Sequence, residues 1–421
     1  MRFKTTGGKS DDGIIRKKHY FFSIITTLYH LRTPNPNAKG AVMVKYAANP
    51  FSSFLIACTL LVCVAVPSNR AYGQLGDLGD FLNVGADAVG DAELLFSEYL
   101  QPFASGFGAG VNTGWVDRAR THGLLGFHVK INFSAAVVPD VDRFFMVDEI
   151  GLNYLRPVQE GPVPTPTFSG SSSTDVRLQY VYEVPDGQDL VLADFEMPPG
   201  TGFRYIMTPM IQAGVGLPMD TDLMVRFIPP FSFLDYGEIY LYGLGIKHEL
   251  NQWLPGGALL PVTFSIMGGY TSFGTSAGLN ARPFDFSPQG DFISSDANEA
   301  DPADWDDQKI VFSTDAWTLN LIAGKSLPIL SVYGGIGIEG SKTNVSVEGD
   351  FPYYSVAPAG NGEFRRELKT FSDPVDISFD GANRFRAMAG VRISLPLLTF
   401  NVDYTYADYS VVTAGFGISF R

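Results

Sequence analysis

Apolar and polar residues alternate with a period of two along most of the chain from residue 105 to the C-terminus. In the closing segment, TAGFGISFR, one face carries the apolar residues Ala414, Phe416, Ile418 and Phe420. The other face carries Thr413, Gly415, Gly417 and Ser419, which are small or polar. Strict alternation is typical of a strand with two unlike faces. Such a strand either packs its apolar face on a soluble core or turns that face towards lipid.

Segments of this kind recur along the chain, and most have about the 9–11 residues that a tilted strand needs to cross a bilayer. We count twelve: Ser105–Val116, Leu124–Val137, Asp148–Arg156, Gly202–Gly214, Asp222–Pro229, Gly237–His248, Leu259–Ser272, Lys309–Gly324, Ile329–Val345, Ala382–Leu395, Leu397–Ala407 and Tyr409–Phe420. The third and fifth have the weakest pattern. The long connections have room for one further hairpin, so the sequence predicts twelve or fourteen strands.

The connections between these strands alternate in length. Short turns repeat one chemistry, with a proline that cannot donate to a strand ladder: Gly216-Leu217-Pro218, Ser326-Leu327-Pro328 and Ser394-Leu395-Pro396. Long polar segments lie between them, over residues 158–200, 273–307 and 346–381. Outer-membrane barrels have tight periplasmic turns and long extracellular loops. We therefore predict an all-β, antiparallel transmembrane β-barrel.

Residues 43–73 have the features of a secretory signal peptide. Lys45 supplies the positive start, an apolar stretch runs from Phe54 to Val66, and Ala71 and Gly73 are small residues before a cleavage site at Gln74. Residues 1–42 are interpreted as an over-called start or a leader extension. Leu55 to Cys58 also matches a lipoprotein cleavage box, but the apolar run continues past Cys58, which argues against lipidation.

The segment Asp91 to Phe103, DAELLFSEYLQPF, has the apolar spacing of an amphipathic helix. It is either a small periplasmic cap or a helix that plugs the barrel mouth. The predicted organisation is therefore a signal peptide over residues 43–73, a helical cap or plug over residues 74–104, and a barrel over residues 105–421.

Cleavage of the leader changes the composition. Both cysteines, Cys58 and Cys63, leave with it, together with ten of the 30 basic and two of the 44 acidic residues, which leaves a formal charge of −22. So acidic a chain is not expected to bind nucleic acid, since that affinity comes from neutralising phosphates. The expected partners are outer-membrane lipid, the barrel-assembly machinery and a small or apolar solute; no cofactor is expected.

The C-terminus resembles the insertion signal of outer-membrane barrel proteins through Thr413, Gly415, Ile418 and Phe420. Arg421 departs from that pattern, which usually ends on the aromatic residue. The segments DAELLFSEYLQPFASGFGAGVNTGW and GVGLPMDTDLMVRFIPP also resemble an uncharacterised family of bacterial outer-membrane proteins. A more distant similarity, in architecture only, is to the long-chain fatty-acid transporter barrels. The family resemblance implies a location in the outer membrane and carries no reaction or ligand.

Three charged residues are candidates for the barrel lumen: Arg386, Arg392 and Asp403. Charges are costly on a lipid-facing surface, so these side chains should point inward. A turn centred on Leu395-Pro396 would place Met388 opposite Asp403 and Arg386 on its diagonal. The three residues either bind a solute or form salt bridges that stiffen the barrel.

Two other motifs suggest chemistry less strongly. The acidic run SSDANEADPADWDD holds Asp301, Asp304, Asp306 and Asp307, whose oxygens could bind Ca²⁺ or Mg²⁺. The spacing of a calcium-binding loop is absent, and a solvated acidic loop is favoured. Ser276 lies in a G-x-S-x-G motif, but no helical pattern follows it, as a nucleophile elbow requires. A catalytic role is therefore disfavoured.

Three functions are consistent with these features of the sequence. The favoured one is a channel or transporter for a small or hydrophobic solute, with the N-terminal helix as plug. The alternative is a structural or surface-interaction barrel without transport activity, whose long loops meet an external partner. The third is an outer-membrane hydrolase that uses Ser276.

Overall fold

A computed structural model describes residues 89–420 except 183–189, 233–236, 280–307 and 361–362. The signal peptide and the acidic run with Asp301, Asp304, Asp306 and Asp307 lie outside the described residues. The described part contains one α-helix, α1, at Val89–Asn112. Its strands are β1 Phe127–Val137, β2 Phe144–Met146, β3 Leu155–Pro157, β4 Pro164–Pro166, β5 Arg177–Tyr182, β6 Leu190–Glu196, β7 Tyr205–Leu217, β8 Thr221–Ser232, β9 Glu238–Glu249, β10 Thr263–Gly278, β11 Lys309–Ser326, β12 Leu330–Glu348, β13 Asp350–Gly360, β14 Glu363–Ser372, β15 Val375–Asp380, β16 Phe385–Ser394, β17 Leu398–Tyr406 and β18 Val411–Phe420.

Ten strands form a closed antiparallel barrel, as the alternation predicts, but with fewer strands than expected. Their order around the barrel is β1, β7, β8, β9, β10, β11, β12, β16, β17 and β18, and β18 pairs with β1. β15 pairs with the part of β12 beyond β16, so β15 and β16 together cover one side of this long strand.

The difference from twelve comes from two segments. The predicted strand Ser105–Val116 is instead the second half of α1 and the chain that follows it. The predicted strand Asp148–Arg156 is instead a 3-10 turn and part of the short strand β3, which lies in the connection from β1 to β7. Glycine-rich ASGFGAG alternates by size as a strand does, and only packing inside the barrel makes it helical.

The barrel wall has an inward and an outward row of side chains on each strand. On β17, exposed and buried residues alternate strictly from Leu398 to Tyr406. Apolar and aromatic side chains occupy the outward row, including Trp317, Tyr404, Tyr406 and Phe420, each at least two-fifths exposed. This is the pattern of a barrel that faces lipid.

The two ends of the barrel differ in their connections. The short-turn end carries the turns between β7 and β8, β11 and β12, and β16 and β17, with the start of β1 and the end of β18. The long-loop end carries the connections from β1 to β7, β10 to β11 and β12 to β16, with the strands β2–β6 and the hairpin β13–β14.

An apolar cluster closes the long-loop end. It joins the first half of α1 to the connection between β1 and β7 and to the ends of β12 and β15. The Asp91 carboxylate accepts the backbone N–H groups of Asn153, Tyr154 and Leu155 at 2.7–3.0 Å. Helix α1 is thus fixed at its beginning to the loops. No helix in the described part of the chain is long and apolar enough to span a membrane.

The turn between β17 and β18 also forms a hydrogen bond with the connection between β1 and β7. The Tyr409 hydroxyl donates to Asp142 Oδ2 at 2.7 Å. Burial and the hydrogen bond to this carboxylate both raise the pKa of Tyr409. The hydroxyl therefore stays protonated and keeps its role as a donor.

Candidate functional site in the barrel lumen

The N-terminal segment, residues 89–126, runs through the barrel lumen. Helix α1 begins at the long-loop end, and the chain after it reaches the short-turn end, where Leu125 N–H donates to Gly216 O at 2.9 Å. The second half of α1 approaches the wall closely through glycines. A Cβ on Gly108 would overlap Ser341 Oγ, and one on Gly110 would overlap Thr208 Oγ1. These glycines let the helix backbone lie against the strands.

Arg226, on the inward row of β8, holds the C-terminal end of α1. Its guanidinium donates to the carbonyls of Val111 and Thr113 and to Gln212 Oε1. The same group lies 3.7 Å from the centroid of the Trp115 ring. A cation at the end of a helix satisfies carbonyls that lack helical partners and is favoured by the helix dipole. This side chain is only 1 % exposed.

Arg386 connects the wall to the same end of the helix. Its guanidinium donates to Glu339 Oε2 at 2.8 Å and to the carbonyl of Asn112 at 2.9 Å. Glu339 Oε1 accepts a further hydrogen bond, at 2.8 Å, from the amide of Asn383. The pair is almost completely buried, and the hydrogen bonds around it offset part of the desolvation cost of the two charges.

Arg392 binds the segment beyond the helix. It donates to Asp117 Oδ1 at 2.9 Å, and Lys130 Nζ lies 3.6 Å from Asp117 Oδ2. Asp117 thus lies between two cations of the wall. The sequence predicts Arg392 as a lumen residue but not its partner, because no pattern in the chain indicates which wall residues Asp117 contacts.

Asp403 also faces the lumen, but the predicted register around it is wrong. Gly390, not Met388, lies opposite Asp403, and Arg386 is therefore not its diagonal neighbour. The register between β16 and β17 is shifted by two residues from the expected one, because the turn is centred on Pro396 and Leu397. Because Gly390 has no side chain, Tyr333 and Asp403 both occupy the space above it. Asp403 Oδ2 has no hydrogen-bond partner among the described residues.

A third charged group lies at the short-turn end. The Asp222 carboxylate accepts the His122 backbone N–H at 2.8 Å and lies 3.1 Å from both His122 Nδ1 and Lys247 Nζ. Lys247 also donates to the carbonyls of Arg118 and Arg120. The end of the N-terminal segment is therefore held by charges, just as the end of α1 is.

Polar side chains line the inward face between these groups, and several of their atoms lack a partner. Within the described residues, Asn132 Oδ1, Asn320 Oδ1 and Asn401 Nδ2 are buried without a hydrogen bond. Buried polar atoms are nearly always satisfied by protein or water. The lumen wall is therefore mixed, since these polar side chains lie beside apolar ones such as Met224 and Met267, which pack against Trp115 of the segment.

The residues of the terminal pattern occupy both faces of β18. Thr413 and Gly415 face the lumen, where the Thr413 hydroxyl lies 3.0 Å from that of Ser134. Ile418 and Phe420 face outward, and the Phe420 ring lies 6.0 Å from that of Phe127 on β1. The pattern thus falls where the barrel closes.

The G-x-S-x-G motif does not form a strand-to-helix turn at its serine. Ser276 lies inside β10, which continues to Gly278, and its hydroxyl accepts the backbone N–H of Glu238 at 3.4 Å. The histidines His122 and His128 stack near the opposite end of the barrel. No group of three or more metal-binding side chains occurs within the residues that the structure describes.

Arg226, Glu339 and Asp117 were missed by sequence reasoning. A signal exists for Arg226, because Asp222, Met224 and Arg226 share one face of a strand that carries lipid-facing apolar residues on the other. The same alternation of faces in β12 places Glu339 on the inward row. For Asp117 no signal exists, since its segment has no strand pattern.

Comparisons with solved structures return outer-membrane barrels at low similarity. The attachment invasion locus protein Ail of Yersinia pestis is 10 % identical with a TM-score of 0.20, and the match covers 71 % of this chain and 99 % of that one. The translocator domain of the autotransporter NalP from Neisseria meningitidis is 10 % identical with a TM-score of 0.22, over 80 % of this chain and 100 % of that one. The outer membrane protease OmpT from Escherichia coli is 7 % identical with a TM-score of 0.20, and the match covers 70 % of this chain and 93 % of that one.

No curated protein matches this chain. The similarity to fatty-acid transporter barrels stays a prediction. Residues 52–420 match a family model described as a family of unknown function, DUF6588. The chain, whose described residues form a closed β-barrel, therefore belongs to the DUF6588 family.

Proposed function

We propose that the protein is a gated outer-membrane channel for small polar solutes, in which the N-terminal segment, residues 89–126, is the gate. The observation that supports this most is the chemistry of the contact between segment and wall. Arg226, Arg386 and Lys247 all donate from the wall to backbone carbonyls of the segment. These hydrogen bonds can be exchanged for water at little cost, whereas the apolar part of the same contact, such as Trp115 packed with Met224, opposes movement of the segment.

The wall itself favours a polar solute over the apolar one that the sequence left open. Its inward row carries hydroxyl and amide side chains that would line a hydrated path if the segment moved. They are Asn132, Ser134, Thr208, Gln212, Thr271, Thr318, Asn320, Asn401, Thr405 and Thr413, all of them buried against the segment or one another.

A disulfide lock tests the gate. The hydroxyls of Thr113 in the segment and Ser134 on β1 lie 2.8 Å apart, so cysteines at both positions can approach within bonding distance. Thr113→Cys/Ser134→Cys protein in planar bilayers should show conductance steps when reduced and lose them when oxidised. Ser134→Cys alone is the matched control and should conduct under both conditions.

Two results would contradict the proposal. One is a membrane that stays silent with wild-type and reduced double-variant protein across the voltage range. The other is conductance that is unchanged by oxidation although mass spectrometry shows the disulfide. Liposome swelling with sugars of increasing size then gives the solute limit.

A surface-interaction barrel is the second candidate. The apolar cluster that joins α1 to the loops makes the long-loop end an ordered platform rather than a set of separate loops. Such a platform suits the binding of an external partner. Silent bilayers together with an intact, heat-modifiable barrel would favour this function over the channel.

A further inference from the structure

The barrel wall has a recess where β15 ends and β16 begins. Gly381 N–H still donates to Ser341 O at 2.9 Å, and Arg384 O accepts the Glu339 N–H at 3.0 Å. Between these two bonds the chain dips into the lumen, where Asn383 is buried. The dip leaves a cavity of ≈ 270 Å³ at the outer side of the wall.

Charged and aromatic side chains of neighbouring strands line this recess. Two cations, Lys342 and Arg384, face it together with the carboxylates Asp315 and Asp380 and the rings of Tyr270 and Trp317. The Tyr270 hydroxyl donates to Asp315 Oδ1 at 2.7 Å. Among the described residues, neither Lys342 nor Arg384 has an ion-pair partner within 4.0 Å, although Lys342 lies opposite both Asp315 and Asp380 in the sheet.

The recess lies at the border of the lipid-facing surface that is nearer the long-loop end. On β11 the outward row runs from Asp315 through Trp317 to the exposed Leu319 and Leu321. On β12 the outward row changes from Ile338 to Lys342 at the same level. Aromatic side chains at such a border mark the bilayer interface, where lipid phosphates lie.

We propose that this recess binds the phosphate-bearing headgroup of a membrane lipid. An ammonium and a guanidinium together bind a phosphate ester through charge-assisted hydrogen bonds. The two carboxylates accept hydrogen bonds from hydroxyl or amino groups of the same headgroup. The apolar rows directly below, with Phe385 79 % exposed, hold the acyl chains. Free phosphate carries the same anionic group but has no acyl chain that could pack on the apolar rows.

The test uses full-length protein in a neutral detergent and native mass spectrometry to count bound molecules. Three probes are titrated: dihexanoyl phosphatidylglycerol, dihexanoylglycerol without a phosphate, and inorganic phosphate. The phospholipid should bind with an affinity at least about tenfold above that of each of the other two, since both the anion and the chains contribute. Lys342→Gln/Arg384→Gln should reduce its affinity by about tenfold or more.

Lys325→Gln is the matched control, because Lys325 is an exposed cation at the opposite end of β11. It should leave the affinity for the phospholipid unchanged. Equal binding of dihexanoylglycerol, or unchanged affinity of the double variant, would overturn the proposal. Binding of inorganic phosphate as tight as that of the phospholipid would show a site for a soluble anion and would also overturn it. If the double variant does not give a heat-modifiable band, Lys342→Gln alone serves, since this exposed side chain has no partner to lose within the described residues.

Discussion

The guanidinium of Arg226 lies 3.7 Å above the ring of Trp115, and its two terminal nitrogens donate to the carbonyls on either side of the end of α1. One wall residue thus binds both the helix and the chain that leaves it. Because the ring and the carbonyls belong to the N-terminal segment, this contact joins the segment to the wall inside the barrel.

Arg226→Met keeps most of the side-chain volume and removes every donor. We expect a loss of about 1–3 kcal/mol in the free energy of unfolding, since buried carbonyls lose their partner. Urea unfolding in detergent micelles, followed by the heat-modifiable band, measures it. Arg177→Met is the control, because Arg177 lies exposed in the loops and its ion pair with Asp194 is worth only about 0–1 kcal/mol. Equal effects of the two changes would show that Arg226 does not anchor the segment.

The buried pair of Arg386 and Glu339 should show strong coupling. Arg386→Gln or Glu339→Gln alone leaves an unpaired buried charge and should cost about 3–5 kcal/mol, whereas the double variant should cost clearly less than the sum. The same unfolding assay measures the wild type, the two single variants and the double variant, which together form a double-mutant cycle. The exposed pair of Lys309 and Glu348, 2.9 Å apart, is the control and should give about 0–1 kcal/mol. Additive losses at Arg386 and Glu339 would contradict a coupled pair.

The direction of the N-terminal segment can be measured in intact cells. Helix α1 begins at the long-loop end, which is extracellular in outer-membrane barrels, and Glu98 on it is exposed. A membrane-impermeant maleimide should therefore label Glu98→Cys in intact cells. Leu259→Cys is the control, because Leu259 is 89 % exposed in the connection between β9 and β10 at the short-turn end, and it should react only after permeabilisation. The reverse pattern would mean that the barrel has the opposite orientation.

A substitution at the end of β18 should reduce assembly of the barrel more than its cost in folding free energy suggests. Phe420→Asp places a charge near the interface at a cost of ~0–1 kcal/mol, whereas Phe416→Arg, nearer the midplane, should cost ~2–4 kcal/mol. If the terminal residues are read as an insertion signal, Phe420→Asp should lower the outer-membrane level of the protein at least as much as Phe416→Arg. Immunoblots of outer-membrane fractions measure both. Normal levels of the Phe420→Asp protein would show that the match to the insertion pattern is chance.

Much of the barrel is local in origin. Whether a residue such as Tyr404 or Asp403 faces lipid or lumen follows from the period of two, because neighbouring side chains of a strand point to opposite faces. The position of the short turns follows from proline, which cannot donate to the ladder. The lipid-facing rows could therefore be assigned from the sequence before any contact was known.

The contents of the lumen depend on contacts between residues far apart in the chain. The segment from Ser105 to Asn112 alternates small and larger residues and is compatible with a strand, and it is helical because wall residues such as Arg226 satisfy the carbonyls at its end. The register of Asp403 differs by two residues from the predicted one, because pairing along the whole of both strands, and not the proline alone, determines where the turn is centred. Asp117, Glu339 and Arg226 meet only when the barrel closes around the helix. Local periodicity is therefore enough to predict a barrel with two unlike faces. What fills the barrel depends on long-range contacts, because each buried charge needs a partner that lies far away in the chain.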